Sequence, residues 1–388
     1  MEHETLALDE ELRRDARIPA VWMRGGTSKC WILRDDHLPI DLAARDALLL
    51  RLFGSPDQRQ IDGVGGGTST TSKAMIVDAA GAFDGVVEYE LAQVSVATQR
   101  VEWDSNCGNC ASAVALYAVQ EGLVPLTAPA TTLTLINRHS GLVLEAVVQT
   151  PDAQVPPHDG DEIVPGTVYP GVRVVLRWSP PTWSEYGRTL PTGSPVDVLI
   201  VDGKPVLSTM IDAGSPTALV SVDEIGFEGG LSSRPAVAEL LPWLMRFRQA
   251  AAARMGLPGG GQAVPKVGIV GPAASESGAD IEARMVSMTE LHPAIGITSA
   301  VAVAAAAGIE GSAVHSLLRA SAQAPACEFS IGTFAGSVRL GVERGTDGSA
   351  QAVDSVRSAR RLADATLFVG RDWVDIVSED GMDVRSRA

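Results

Sequence analysis

The apolar positions of this chain switch between a period near two and a period near 3.6, and that alternation predicts the elements. Ile18–Trp22 and Cys30–Leu33 read as short strands on either side of a Gly-Gly turn. Leu42–Phe53 carries apolar residues at helical spacing and stops at the breaker Gly54-Ser55-Pro56, so a helix is predicted there. Ala74–Val77 and the alternating Val86–Ala97 predict strands. Trp103–Cys110 is a polar, glycine-containing loop. Ala111–Gln120 is small and apolar on every face and closes at Gly122, the pattern of a buried helix. Thr131–Ile136 with Leu142–Gln149 predicts a hairpin, and Val172–Arg177 a further strand.

The pattern then restarts. Ser179–Pro195, rich in Pro, Ser, Thr and Gly, predicts an interdomain linker. Beyond it, Val196–Val201 and Ser208–Ile211 read as strands and Pro235–Met255 and Ser299–Ala307 as helices. Leu257–Gln262 is a flexible Gly/Pro patch between those helices. Val338–Val342 and Leu367–Val369 close the series as strands. With 388 residues, too many for one ordinary core, the expected division is 1–185 and 186–388, the last residues being able to return to the first domain. Two short texts echo across it. The helix start Gly108–Val114 resembles Gly296–Ala302, and Thr71–Val77 resembles Gly214–Val220.

Composition narrows the function classes. Hydrophobic residues are 45% and charged residues 20% of the chain, ordinary globular usage. A formal net charge of −16 disfavours nucleic acid and anionic membranes as partners. It also repels acidic substrates at long range, so an anion site has to be built locally from backbone N–H groups and a few cations. The most apolar run, Ala300–Ala307, is too short to span a bilayer, and Met1–Arg17 lacks the apolar stretch of a signal peptide. A cytoplasmic protein with free thiols at Cys30, Cys107, Cys110 and Cys327 is expected. Lysine occurs only at Lys29, Lys73, Lys204 and Lys266, which makes each one worth a question.

Several segments carry donors or nucleophiles. Asn106-Cys107-Gly108-Asn109-Cys110 precedes a helix, whose positive N-terminal end is expected to lower a thiol's pKa. By pattern alone this Cys-x-x-Cys suits proton transfer, a redox dithiol, half a zinc site or inert buried thiols. Gly65–Lys73 is a Gly/Ser/Thr-rich turn ending in lysine. It departs from a phosphate loop because an apolar strand, not a helix, follows the lysine. It reads instead as a nest of donors around a carboxylate, presenting a desolvated Lys73 as a base. Arg24–Lys29 is a second donor-rich turn. Thr298-Ser299 reads as a helix cap able to hold an anion. His292, before Pro293, reads as a structural histidine.

Together these segments resemble the PrpF family of 2-methylaconitate isomerases, 4-oxalomesaconate tautomerases and methylitaconate isomerases. The signatures are Met23–Lys29, Gly67–Lys73 and Cys107–Cys110, with weaker matches at Ile211–Pro216, Val264–Lys266 and Met288–Thr298. The resemblance implies an α+β, diaminopimelate-epimerase-like fold: two pseudo-symmetric domains, each a sheet wrapped round a central helix, with the site between them. It implies cofactor-independent proton transfer with no metal, by Lys73 and Cys107, on a small unsaturated di- or tricarboxylate; a homodimer is compatible with it. Lys73 is the expected base and Cys107 the group that returns or orients the proton. Arg24, Gly25, Thr27, Ser28, Lys29, Gly67, Thr68, Ser69, Ser72, Gly108, Asn109, Thr298 and Ser299 are the expected substrate contacts. Three positions depart from the family's pattern: Cys30 stands for a glycine, Thr298-Ser299 for Thr-Gly, and Phe329-Ser330-Ile331-Gly332 for His-Pro-Ser-Gly. The last is expected to alter a substrate wall. An amino-acid racemase of the same fold would need a second thiol opposite Cys107, with Cys327 the available one. A non-catalytic polycarboxylate-binding protein would keep the same fold, and a thiol–disulfide protein would keep the same cysteine spacing.

Overall fold

The structure, a computed structural model, describes residues 17–180, 184, 187–257, 264–273, 277–318 and 326–369. The glycine patch after Leu257, the segment before Arg17 and part of the 179–195 linker lie outside the described residues.

The first half runs β1 (Arg17–Gly25), β2 (Ser28–Arg34), α1 (Leu42–Phe53), β3 (Lys73–Val77), β4 (Val86–Val94), β5 (Val101–Glu102), α2 (Gly108–Gln120), β6 (Ala130–Asn137), β7 (Val143–Gln149) and β8 (Val172–Trp178). The second runs β9 (Asp197–Val201), β10 (Lys204–Asp212), β11 (Pro216–Ser221), α3 (Arg234–Ala238), α4 (Leu241–Met255), β12 (Lys266–Pro272), β13 (Ile281–Ser287), β14 (Glu290–Leu291), α5 (Ile297–Ala307), β15 (Ala326–Thr333), β16 (Gly336–Arg344) and β17 (Ala350–Phe368). The single helix expected over Pro235–Met255 is two. Pro242, in the first turn of α4, has no N–H for a continuing helix and starts a new one.

The pairings repeat. β2 runs parallel to β3 and β11 to β12; β3–β4 and β12–β13 are antiparallel; β4 runs parallel to β6 and β13 to β15. Two further antiparallel steps complete each half, β6–β7–β8 and β15–β16–β17. In this alignment α2 matches α5, as the helix echo suggested. The other echo is out of step: Pro216–Ser221 is the counterpart of β2, and the counterpart of β3 is β12. β17 belongs to both halves. Over Val353–Ala359 it pairs with β8, and over Ala359–Phe368 with β1, which closes the first sheet into a barrel.

α2 fills that barrel. Every residue from Gly108 to Val119 is buried, as is every residue of α5. Small side chains allow this, because the backbones must approach closely. A Cβ at Gly25 would lie 2.0 Å from the Asn109 carbonyl oxygen, and one at Gly108 would lie 1.8 Å from Ile297 Cγ2. The second contact places the N-termini of the two central helices against each other. The interior of both halves forms one apolar cluster, while α1 and α4 cover the outer faces with separate clusters. No helix among the described residues is long and apolar enough to cross a membrane.

Candidate active site

A cavity of about 50 Å³ lies where the two helix N-termini meet, lined from the first half by Ser28, Thr70, Lys73, Gln93, Ser105, Asn106, Cys107, Gly108 and Asn109. The second half adds Lys266, Met285–Met288, His292 and Gly296–Ser299. A groove of about 290 Å³, lined by Gly67, Thr68, Ser69 and Ser95 among others, adjoins it and shares Gln93, Ser287 and Met288. Ser69 Oγ and Ser287 Oγ, 3.1 Å apart, bridge the halves between the two spaces.

Lys73 is the first residue of β3 and buried. Its register partner across the ladder is Gln93, whose Oε1 accepts a hydrogen bond from the lysine Nζ. Gln93 is itself pinned, its Nε2 donating to the carbonyls of Ser72 at 3.0 Å and Ser69 at 3.3 Å. The Gly/Ser/Thr turn before Lys73 is held by Gln60. Its Nε2 donates to Ser72 Oγ at 2.7 Å, and its Oε1 accepts from the Gly67 N–H at 2.9 Å. That turn shapes the lysine's position from behind.

Cys107 is the N-cap of α2, with its Sγ accepting the Cys110 N–H at 3.4 Å. The expectation of a lowered thiol pKa is corrected here. Hydrogen bonding to the Cys110 thiol, followed by burial, pushes Cys107 well up, against the opposing pull of Lys73. The Cys110 thiol, and after it burial, favour the uncharged form over the pull of the helix N-terminus. The group therefore stays a thiol, a proton donor rather than a thiolate. All four cysteines are free, and among the described residues no group of three or more His, Cys, Asp or Glu is placed to hold a metal ion.

Of the expected contacts, Ser28, Gly108, Asn109, Thr298 and Ser299 line the cavity. Gly67, Thr68 and Ser69 line the adjoining groove. The rest lie elsewhere. Arg24 clamps the β1 turn, donating to Ser358 Oγ at 2.9 Å, the Pro170 carbonyl at 3.1 Å and the Gly26 carbonyl at 3.2 Å. Lys29 lies over the Trp22 ring, 5.1 Å from its centroid. Thr27 Oγ1 accepts from Asn109 Nδ2, Gly25 backs onto the Asn109 carbonyl, and Ser72 is buried on Gln60. These residues brace the site.

The second-half helix also differs from expectation. The N-cap of α5 is Gly296, without a side-chain cap, and Thr298 and Ser299 lie in the first turn. Its leading N–H groups have no helical acceptor and open at the cavity. Gly296 occupies the place of Cys107, so no thiol faces Cys107 from the second half. Cys327, on β15, packs at the edge of the core. Phe329-Ser330-Ile331-Gly332 is likewise not a cavity wall. Phe329 and Ile331 are fully buried core residues of β15, and Ser330 between them is buried too.

Three residues that the sequence did not mark as substrate contacts or catalytic groups, Gln93, Lys266 and His292, also line the cavity. Lysine scarcity pointed to Lys266. His292 is buried, and its Nδ1 accepts the Ala294 N–H at 3.0 Å, which puts the ring proton on Nε2. Burial, then the charges of Lys73 and Lys266, push its pKa down to about 3, so it is neutral and offers an N–H. Burial, then Lys73, pushes Lys266 down to about 8.

A family model described as PrpF protein matches residues 15–370. A 4-oxalomesaconate tautomerase from Pseudomonas putida is 35% identical over 362 residues, covering 92% of this chain and 97% of its own. A 2-methyl-aconitate isomerase from Shewanella oneidensis is 34% identical over 363 residues, covering 84% and 89%. The crystal structure of a methylitaconate-delta-isomerase superposes with a TM-score of 0.72 at 28% identity, covering 93% of this chain and 97% of that one.

Proposed function

Since this chain belongs to the PrpF family and has its diaminopimelate-epimerase-like fold, we propose that it is a cofactor-independent isomerase of a small unsaturated di- or tricarboxylate. The relatives' names place their substrates among methylaconitate, methylitaconate and oxalomesaconate. The observation that carries the reading is one cavity holding a buried lysine, a protonated thiol and two helix N-termini.

The chemistry follows from that inventory. A C–H flanked by a carboxylate and a double bond is weakly acidic. Lys73, as the base, takes that proton. The C–H electron pair becomes a new double bond, and the old one pushes its pair toward the conjugated carboxylate, giving a dienolate. Hydrogen-bond donors aimed at that charge make the step fast enough to matter. The Cys107 thiol, too poor an acid to ionise alone, gives its proton to the strongly basic dienolate carbon. Delivery at the far carbon shifts the double bond; rotation before delivery at the original carbon gives cis–trans isomerisation. Lys73 and the Cys107 thiolate then exchange the proton to reset the site.

Screening unsaturated di- and tricarboxylates for a gain or loss of ultraviolet absorbance tests the reading. A time-dependent change with at least one acid of this class is expected. No change with any of them, from folded protein, rejects it.

A further inference from the structure

Lys266 is the structural twin of Lys73. Lys73 is the first residue of β3 and Lys266 the first of β12, strands that occupy the same place in the repeat. Both line the cavity, from opposite halves. Their surroundings differ. Lys73 faces Gln93 in register and bonds to it. On the other side the ladder begins one residue later, at Val267 opposite Val286, and the next residue of that partner strand is Ser287. A serine is too short to imitate a glutamine, and its hydroxyl is already engaged with Ser69. Among the described residues no hydrogen bond or ion pair reaches the Lys266 ammonium.

An ammonium set into a cavity wall without a partner is an unfavourable arrangement in an empty site and a favourable one when an anion enters. Its neighbours point the same way. The uncapped N-terminus of α5 and the neutral His292, with its proton on Nε2, are donors without negative charge. The second half therefore brings to the cavity a cation and neutral donors, and no thiol.

We propose that Lys266 is the substrate's anion anchor, the cation that receives a carboxylate and steadies the dienolate charge, while proton transfer stays with the first half. The inference rests on the isomerase reading for the dienolate, and on geometry alone for the carboxylate. The burial that depresses Lys266 toward neutrality in the empty cavity is the condition that an entering carboxylate relieves.

The test compares wild type, Lys266→Met and Lys266→Arg, with propane-1,2,3-tricarboxylate as a saturated, unreactive probe. Calorimetric titration should show Lys266→Met binding it about 10- to 100-fold more weakly, the worth of one charge-assisted hydrogen bond. Lys266→Arg should recover most of that loss, since it restores a cation. At saturating substrate, Lys266→Met should exchange the substrate's acidic hydrogen with heavy water more slowly but measurably, because Lys73 is intact. It should also melt no lower than wild type, because it removes an unpaired buried charge. Unchanged probe affinity in Lys266→Met overturns the anchor. So does unchanged affinity with loss of exchange, which would make Lys266 a proton-transfer group, or a lowered melting temperature with both variants equally impaired, which would make it a structural strut. A wild type that binds the probe yet isomerises no unsaturated acid overturns the reaction and leaves the anchor standing.

Discussion

The two halves of the molecule run through the same sequence of strands and place a lysine at the same point of that sequence, then surround it differently. In the first half Lys73 is tied to Gln93 and looks toward a helix whose N-cap is a thiol. In the second half Lys266 has Ser287 in place of the glutamine, and the helix N-cap is Gly296. A duplicated frame thus carries two unlike surroundings for its lysine, and the difference lies in side chains that the backbone repeat does not dictate. Function sits in the site rather than in the fold, even within one chain.

The sharpest test of the comparison is to remove the proposed proton-transfer groups from the first half. Lys73→Met should lower kcat by about 10³-fold or more and abolish exchange of the substrate's acidic hydrogen with heavy water. Cys107→Ser should lower kcat by about 10²-fold, within the usual range for a lost acid, while Lys73 continues to exchange. Nuclear magnetic resonance of the recovered substrate distinguishes them. Equal exchange in the two variants would collapse the division of roles.

Next comes the contact between the two helices. Gly108→Ala would drive a methyl into Ile297 Cγ2, 1.8 Å away, and should destabilise the protein by about 1–3 kcal/mol in a denaturant titration. At Gly296, the N-cap of the facing helix, only Ser299 Oγ, 3.8 Å off, meets a Cβ, so Gly296→Ala should stay within about 0.5 kcal/mol of wild type. Similar losses at both positions would mean the helices do not meet as described.

Gln93→Leu should lower kcat about tenfold with KM little changed, because a loosened lysine still binds but aims poorly. An effect on KM alone would make Gln93 a substrate contact instead. The smallest effect is in pH. Lys266 is depressed to about 8 by burial, Lys73 and Arg248, against Cys107 and Glu102, while the neighbouring His292 stays neutral. Its ammonium is therefore present below pH 8 and lost above it. Affinity for propane-1,2,3-tricarboxylate should weaken about threefold from pH 7.5 to 8.5, and the dependence should vanish in Lys266→Met. The sign for stability is opposite. The cost of burying the charge is present below pH 8 and gone above the unfolded value, so Lys266→Met should gain most stability at neutral and lower pH.

How legible all this was from the sequence depended on whether neighbours in the chain were neighbours in space. Leu42–Phe53 formed as expected because helix spacing and a C-terminal Gly-Pro stop are local signals. Cys107 and its small-residue helix were visible for the same reason. β17 was visible only at its end, because Asp354, Arg357, Arg360, Arg361 and Asp364 interrupt the apolar pattern; the strand holds because it is paired along its length. Gln93 was silent, being one more polar residue on an alternating strand until the register sets it against Lys73. Arg24 misled: a cation in a donor-rich turn looks like an anion site, but its fork is filled by carbonyls from residues far away in sequence. The Phe329–Gly332 segment misled because the family's pattern set it on a wall, whereas here it is a buried stretch of β15.

The shared strand β17 has a consequence for how the protein is made. β1 emerges early from the ribosome, but one of its two neighbours is Ala359–Phe368, some 340 residues later in the chain. At usual translation rates that interval is on the order of 20–70 s. Throughout it the first barrel has an open seam along β1, a row of unpaired N–H and C=O groups able to accept a strand from a neighbouring chain. The nascent first half must therefore wait, shielded or at risk of mispairing, until the second half has been built. Both halves reach their final form at nearly the same moment, so the ribosome should never carry a finished first half with its lysine and thiol already in place.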